Sequence, residues 1–138
     1  MRSRIPTLTY DFKLATFHAE RGQYNEAKDC SVRALAVILG DSYRDAHEIL
    51  RIGGRKNRQG FYLDWFLSQK STIAGLKITE VAFNPAHKMT PSIFAHTYKK
   101  GKYIVTIHRH AFAVIDGIIF DAGRVKPHTR VFGAWRFE

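Results

Sequence analysis

The sequence predicts an α+β domain, with helices first and an antiparallel sheet after them. Three observations carry this. The run Val32-Arg33-Ala34-Leu35-Ala36-Val37-Ile38-Leu39 is apolar nearly all round, as in a helix buried on most sides. The last third of the chain holds short runs rich in β-branched and aromatic residues. Within it, Asp116-Gly117 separates "AFAVI" from "IIF", the strongest short hairpin signal a sequence offers.

Each element follows from local chemistry. Phe12, Leu14, Ala15 and Phe17 predict a helix over 11–21, with a loop over 22–25. Asp29 is the predicted N-cap of the apolar helix, Cys30 falls on its first turn, and Gly40 stops it. Ser42 caps a second helix, in which Tyr43, Ala46, Ile49 and Leu50 recur at helical spacing up to Gly53-Gly54. A basic loop, Arg55-Lys56-Asn57-Arg58-Gln59-Gly60, leads to a helix over 61–71 with Leu63, Phe66 and Leu67 inward. Residues 76–83 read as a strand. Thr90-Pro91 opens a short helix running to about residue 100. Strands are predicted over 102–107, 111–115, 118–120 and 131–137.

The chain of 138 residues is read as a single domain over 1–138. No run approaches the ~20 apolar residues of a membrane span, so no membrane partner is expected. The opening "MRSRIPTLTY" has positive charge but no apolar core, unlike a secretory signal. The single cysteine cannot form an internal disulfide, and a reducing, cytoplasmic setting is the simplest expectation. Lysine plus arginine is 22 against 12 acidic residues, a net charge of +10. That balance favours an acidic protein or a nucleic acid as partner. Arg55, Lys56 and Arg58 form a candidate basic patch, although such a run is usually a solvated face. Trp65 and Trp135 are expected in the core.

A chemical constellation emerges from the hairpin. If Asp116-Gly117 is a two-residue turn, Ile115 faces Ile118, Val114 faces Ile119 and Phe112 faces Asp121. His110 and Asp121 then share one face as diagonal neighbours, with Gly123 leaving room for the ring. A carboxylate beside an imidazole orients it and stabilises its protonated form. A protonated imidazole or a helix N-terminus stabilises a thiolate, and Cys30 occupies a predicted helix start. Asp29 opposes ionisation of that thiol unless its carboxylate is turned inward. His108 and His110 form a His-x-His pair on an unbroken strand, but no cluster has familiar metal spacing, so no metal or other cofactor is expected.

The stretch "DCSVRALAVILG" at 29–40 resembles the nucleophile helix of the bacteriocin-processing (double-glycine) peptidases. "HAFAVIDGIIFDAG" at 110–123 is similar to the histidine strand and following hairpin of papain-like cysteine peptidases. Both stretches also resemble small bacteriophage proteins of this superfamily, which implies a phage origin and a location in the host cytoplasm. The resemblance implies a papain-like fold, with N-terminal helices and a central nucleophile helix packed on a C-terminal antiparallel sheet. It implies Cys30 as nucleophile, His110 as general acid and base, and Asp121 as the orienting residue. These families place a glutamine about six residues before the cysteine as an oxyanion donor. Position 24 is Tyr, so Gln23 is the candidate and Asn25 the alternative. Ser31 stands where the family has Gly. The expected function is a cysteine hydrolase acting on a protein or peptide, as peptidase, isopeptidase or amidase through a thioester. Acyl transfer to an amine uses the same groups. The alternative is an inactive binding protein of this fold that sequesters a host protein or nucleic acid through its basic surface.

Overall fold

Strands that are apolar on both faces need cover on both faces, and the computed structural model supplies it. It describes residues 9–11, 17–24, 26, 28–56, 59–84, 86–121, 125–126 and 128–138. The element order is β1 (Thr9–Asp11), α1 (His18–Gln23), α2 (Cys30–Ile38), α3 (Tyr43–Ile52) and α4 (Leu63–Ser68). Then come β2 (Thr72–Ile73), β3 (Leu76–Glu80), α5 (Pro91–Thr97), β4 (Lys102–Ile107), β5 (His110–Ile115), β6 (Ile118–Phe120) and β7 (Gly133–Phe137). The architecture is α+β, as the sequence predicts.

The strands form one seven-stranded sheet in the order β1-β6-β5-β4-β7-β3-β2. All neighbours are antiparallel except β1, which lies parallel to β6. One face carries Ile104, Ala111, Ala113, Trp135 and Phe137, packed with Leu35, Ile38, Leu50, Leu63 and Phe66 of α2, α3 and α4. The other carries Tyr103, Val105, Phe112, Val114 and Ile119, packed with Phe94 of α5. Ala111 and Ala113 are small, and α2 packs closely on β5 where they lie.

Local signals hold where their chemistry is local. Ser42 accepts a hydrogen bond from the Asp45 amide (3.4 Å), and Thr90 accepts one from the Ile93 amide (3.2 Å), so both N-caps are as expected. Asp116 and Gly117 have φ of 50° and 79°, the left-handed pair of a two-residue hairpin turn. The Asp116 carboxylate tightens that turn by accepting from the Gly101 amide at 2.8 Å.

Several elements differ from expectation. Residues 9–11 are a strand, and α1 starts at His18, so the helix predicted over 11–21 is shorter and later; residues 12–16 lie outside the described set. The helix over 61–71 is confined to Leu63–Ser68, because residues 72–80 form a hairpin of β2 and β3. Its turn, Ala74-Gly75, has φ of 50° and 81°. An alanine there carries no turn signature. Trp65 is 58% exposed, whereas Trp135 is buried. No helix among the described residues is long and apolar enough to cross a membrane.

Candidate active site

The hairpin register is the predicted one. Ile115 pairs with Ile118, Val114 with Ile119 and Ala113 with Phe120. Continuing by one residue sets Asp121 opposite Phe112, on the face His110 shares by its two-residue period. The His110 Nε2 lies 2.8 Å from Asp121 Oδ1. The Asp121 side chain is 5% exposed and that of His110 is 27% exposed, so the carboxylate is enclosed and the ring is reachable. Gly123 lies outside the described residues.

Cys30 is the first residue of α2 and is partly exposed. Its thiol faces the His110 ring and the backbone of Ala111, and both act to lower its pKa. Nε2 is engaged by Asp121, so Nδ1 is the ring nitrogen left for sulfur. Burial acts to raise the thiol pKa. The His110 hydrogen bond, the Ala111 backbone and the charges of His110 and Arg33 outweigh it and hold the thiol below its ordinary value. Burial likewise acts to discharge His110, but Asp121 and Cys30 reverse this and push the imidazole up to about 9. The two shifts describe one thiolate–imidazolium pair with a carboxylate behind it.

Asp29 sits at the N-cap position but makes no side-chain cap hydrogen bond. This corrects the expected capping role. Its carboxylate turns inward instead. Arg21 donates to both oxygens, Nε to Oδ2 at 2.7 Å and Nη2 to Oδ1 at 3.0 Å, and Tyr43 Oη donates to Oδ2 at 2.7 Å. The Arg33 guanidinium lies 3.3 Å from Oδ1. Burial opposes ionisation of Asp29, yet these donors and charges keep its carboxyl below its usual range. Two consequences follow for the thiol. The negative charge next to it is compensated, and the first-turn amides of α2 have no partner from the Asp29 side chain or from within the helix.

A second buried network holds the approach to the helix. The Arg55 Nη1 donates to Glu26 Oε2 at 2.6 Å, and Nη2 donates to the Lys28 carbonyl at 3.2 Å. His47 Nε2 lies 2.9 Å from the same Glu26 oxygen, and Tyr24 stacks on the His47 ring at 3.8 Å. Arg55 is therefore buried rather than part of a basic patch, which corrects that expectation: Glu26 draws its charge into the interior. Lys56 is exposed, and Arg58 lies outside the described residues. Arg55→Ala is expected to destabilise the fold by about 3–5 kcal/mol by leaving Glu26 without its guanidinium. Urea denaturation measures this; an unchanged midpoint with weakened polyanion binding would restore the patch.

The candidate triad opens into a cleft of about 730 Å³, lined by residues 30–31, 60–64, 106–111 and Phe132. Gln23 ends α1 exposed and is not among the described residues lining that cleft. The inward position belongs to its neighbour Tyr24, stacked on His47, so the expected side-chain oxyanion donor is not placed there. Asn25 lies outside the described residues. His108 is in the β4–β5 turn rather than on an unbroken strand with His110, and is exposed. Among the described residues, no group of three or more His, Cys, Asp or Glu is placed to hold a metal ion. Trp135 lies on β7, which β4 separates from β5, and the aromatic ring beside His110 is Phe112, with centroids 6.2 Å apart.

Sequence reasoning missed the Asp29 and Glu26 networks and the cleft residues Tyr62, Asp64, Thr106 and Phe132. The two acidic residues just before the cysteine, in a chain so basic, were the available signal. Comparison of the chain with family models, with curated proteins and with solved structures gives no match. The functional reading therefore rests on geometry.

Proposed function

We propose that the protein is a cysteine hydrolase of papain-like type, acting on an amide bond in a protein or peptide. One observation carries the reading: Cys30 and His110 line the same open cleft, and His110 Nε2 lies 2.8 Å from buried Asp121. A helix-borne cysteine facing a strand-borne histidine, with the acid on the next strand's end, is the arrangement the sequence resemblance implies.

The reaction follows from these groups. The Cys30 thiolate attacks the carbonyl carbon, forming a C–S bond and an oxyanion. First-turn amides of α2, the Cys30 amide first, donate to that oxyanion. His110 gives its Nδ1 proton to the amine nitrogen as the C–N bond breaks, leaving a thioester. It then takes a proton from water, which attacks the thioester, releasing the acid and returning the thiol. An amine in place of water gives acyl transfer instead. The alternative of a sequestering protein draws on the net charge of +10 and the basic surface, from which burial withdraws Arg55.

The pH dependence has a definite sign. The thiol ionises below its ordinary value of about 8.5, and the imidazole keeps its proton up to about 9. The ion pair is thus present between the two, so turnover rises as the thiolate forms and falls as His110 is discharged. Iodoacetamide labelling followed by intact mass gives the lower limb. The half-labelling pH is expected below about 8.5 and to move upward in His110→Ala. A wild-type midpoint near that value, unmoved by the substitution, would falsify thiolate activation.

A further inference from the structure

Asp64 contributes the carboxylate to the cleft wall, and its position is built. It lies on the first turn of α4, and Thr106 Oγ1 donates to its Oδ2 at 2.8 Å. Thr106 also accepts from the Phe132 amide through its carbonyl at 2.8 Å, so one residue fixes both the carboxylate and an aromatic wall. Gly133 leaves the space: a β-carbon there would lie 3.2 Å from Asp64 Oδ2 and 2.6 Å from the Trp135 ring. The sheet register gives the distance to the chemistry. Thr106 pairs with Ala111, whose backbone acts to lower the pKa of the Cys30 thiol. Thr106 therefore stands about one strand spacing, roughly 5 Å, from the residue beside the nucleophile, and Asp64 lies one hydrogen bond beyond Thr106. Around it the cleft is apolar and aromatic. Tyr62 is 86% exposed and Phe132 is 57% exposed, an unusual surface position for two large rings.

A fixed carboxylate among aromatic walls suits a cation on an apolar stem. The carboxylate meets the charge, and ring faces favour it further. His108 and Arg109 also line the cleft, in the β4–β5 turn two and three positions after Thr106. We infer that Asp64 is a specificity-determining residue that selects a lysine or arginine side chain close to the scissile bond. The inference rests on the hydrolase reading and deepens it by naming the substrate class.

The test reads the subsite without requiring turnover. Two peptidyl chloromethyl ketones, identical except for lysine or norleucine next to the reactive carbon, are compared in their rate of Cys30 labelling. Norleucine keeps the stem and removes the charge. The lysine probe is expected to label at least about tenfold faster, as for a hydrogen bond between charged groups. Asp64→Asn, which keeps an acceptor for Thr106, is expected to bring the ratio close to one, and Asp64→Lys to invert it. Comparable rates for the two wild-type probes, or a lysine preference that survives Asp64→Asn, overturn the inference. Rapid labelling by both probes with no lysine preference leaves the hydrolase reading standing. A lysine preference lost in Asp64→Asn, with no hydrolysis of lysine peptides, removes hydrolysis and keeps the binding subsite.

Discussion

Cys30→Ala is expected to abolish hydrolysis of any amide substrate, and His110→Ala to lower the rate by about 10²–10⁴-fold. The two losses have different causes. Alanine at 30 removes the atom that forms the thioester. Alanine at 110 leaves sulfur in place but removes the proton donor for the leaving amine and the charge that holds the thiol ionised. Because the pair acts as a unit, the double variant is expected to be no worse than Cys30→Ala alone. Asp121→Asn is the milder companion. It keeps the shape of the hydrogen bond to Nε2 but takes away the charge that raises the imidazole. Its turnover profile is expected to lose its alkaline limb at lower pH than wild type. The measurement is single-turnover acylation across pH, with folding checked by circular dichroism. Full activity in Cys30→Ala would remove the mechanism outright.

Asp29→Ala is expected to be among the most destabilising single changes, at about 3–5 kcal/mol. The Asp29 side chain is fully enclosed, and its loss leaves the Tyr43 hydroxyl and the Arg21 and Arg33 guanidiniums facing an uncompensated site. Asp29→Asn keeps an acceptor and loses the charge, so it is expected to fall between wild type and alanine. The pH dependence supports the same assignment. A carboxylate held below its ordinary pKa stabilises the fold fully above about 3.9 and loses that contribution as pH falls through the lower, folded value. Acid unfolding of wild type should therefore begin late, and Asp29→Asn should lack that part of the slope. A loss under about 1 kcal/mol on alanine substitution would show that Arg21 and Arg33 find water instead.

What the sequence disclosed was what neighbours in the chain decide. Asp116-Gly117 dictates its own turn, and with the turn came the register, the shared face of His110 and Asp121, and thereby two members of the candidate triad. Ser42 and Thr90 cap their helices by reaching three residues ahead. Asp29 looked like the same device, yet Arg21 and Tyr43, 8 and 14 residues away, outcompete the first-turn amides for its carboxylate. A guanidinium is the stronger donor, and nothing local in the sequence announces it. Arg55 misled for a similar reason. In a run of basic residues it looks solvated, and its partner Glu26 is 29 positions earlier. Asp64 and Thr106, 42 positions apart, meet only when α4 settles against β4 and β7. The alanine in the Ala74-Gly75 turn hid a hairpin altogether.

The division of the candidate triad between a helix and a hairpin has a consequence for the life of the chain. His110 and Asp121 are brought together by adjacent strands, across a short loop that closes at small entropic cost. Cys30 joins them only across a separation of 80 positions, the slow, non-local kind of contact. Until α2 docks on Ala111, the sulfur has neither ring nor backbone partner and behaves as an ordinary thiol. The lowered thiol pKa is thus a property of the assembled molecule, and a nascent or unfolding chain carries a cysteine of ordinary reactivity. The same docking that finishes the hydrophobic core brings the thiol to His110, so thiol activation is expected to appear only with folding.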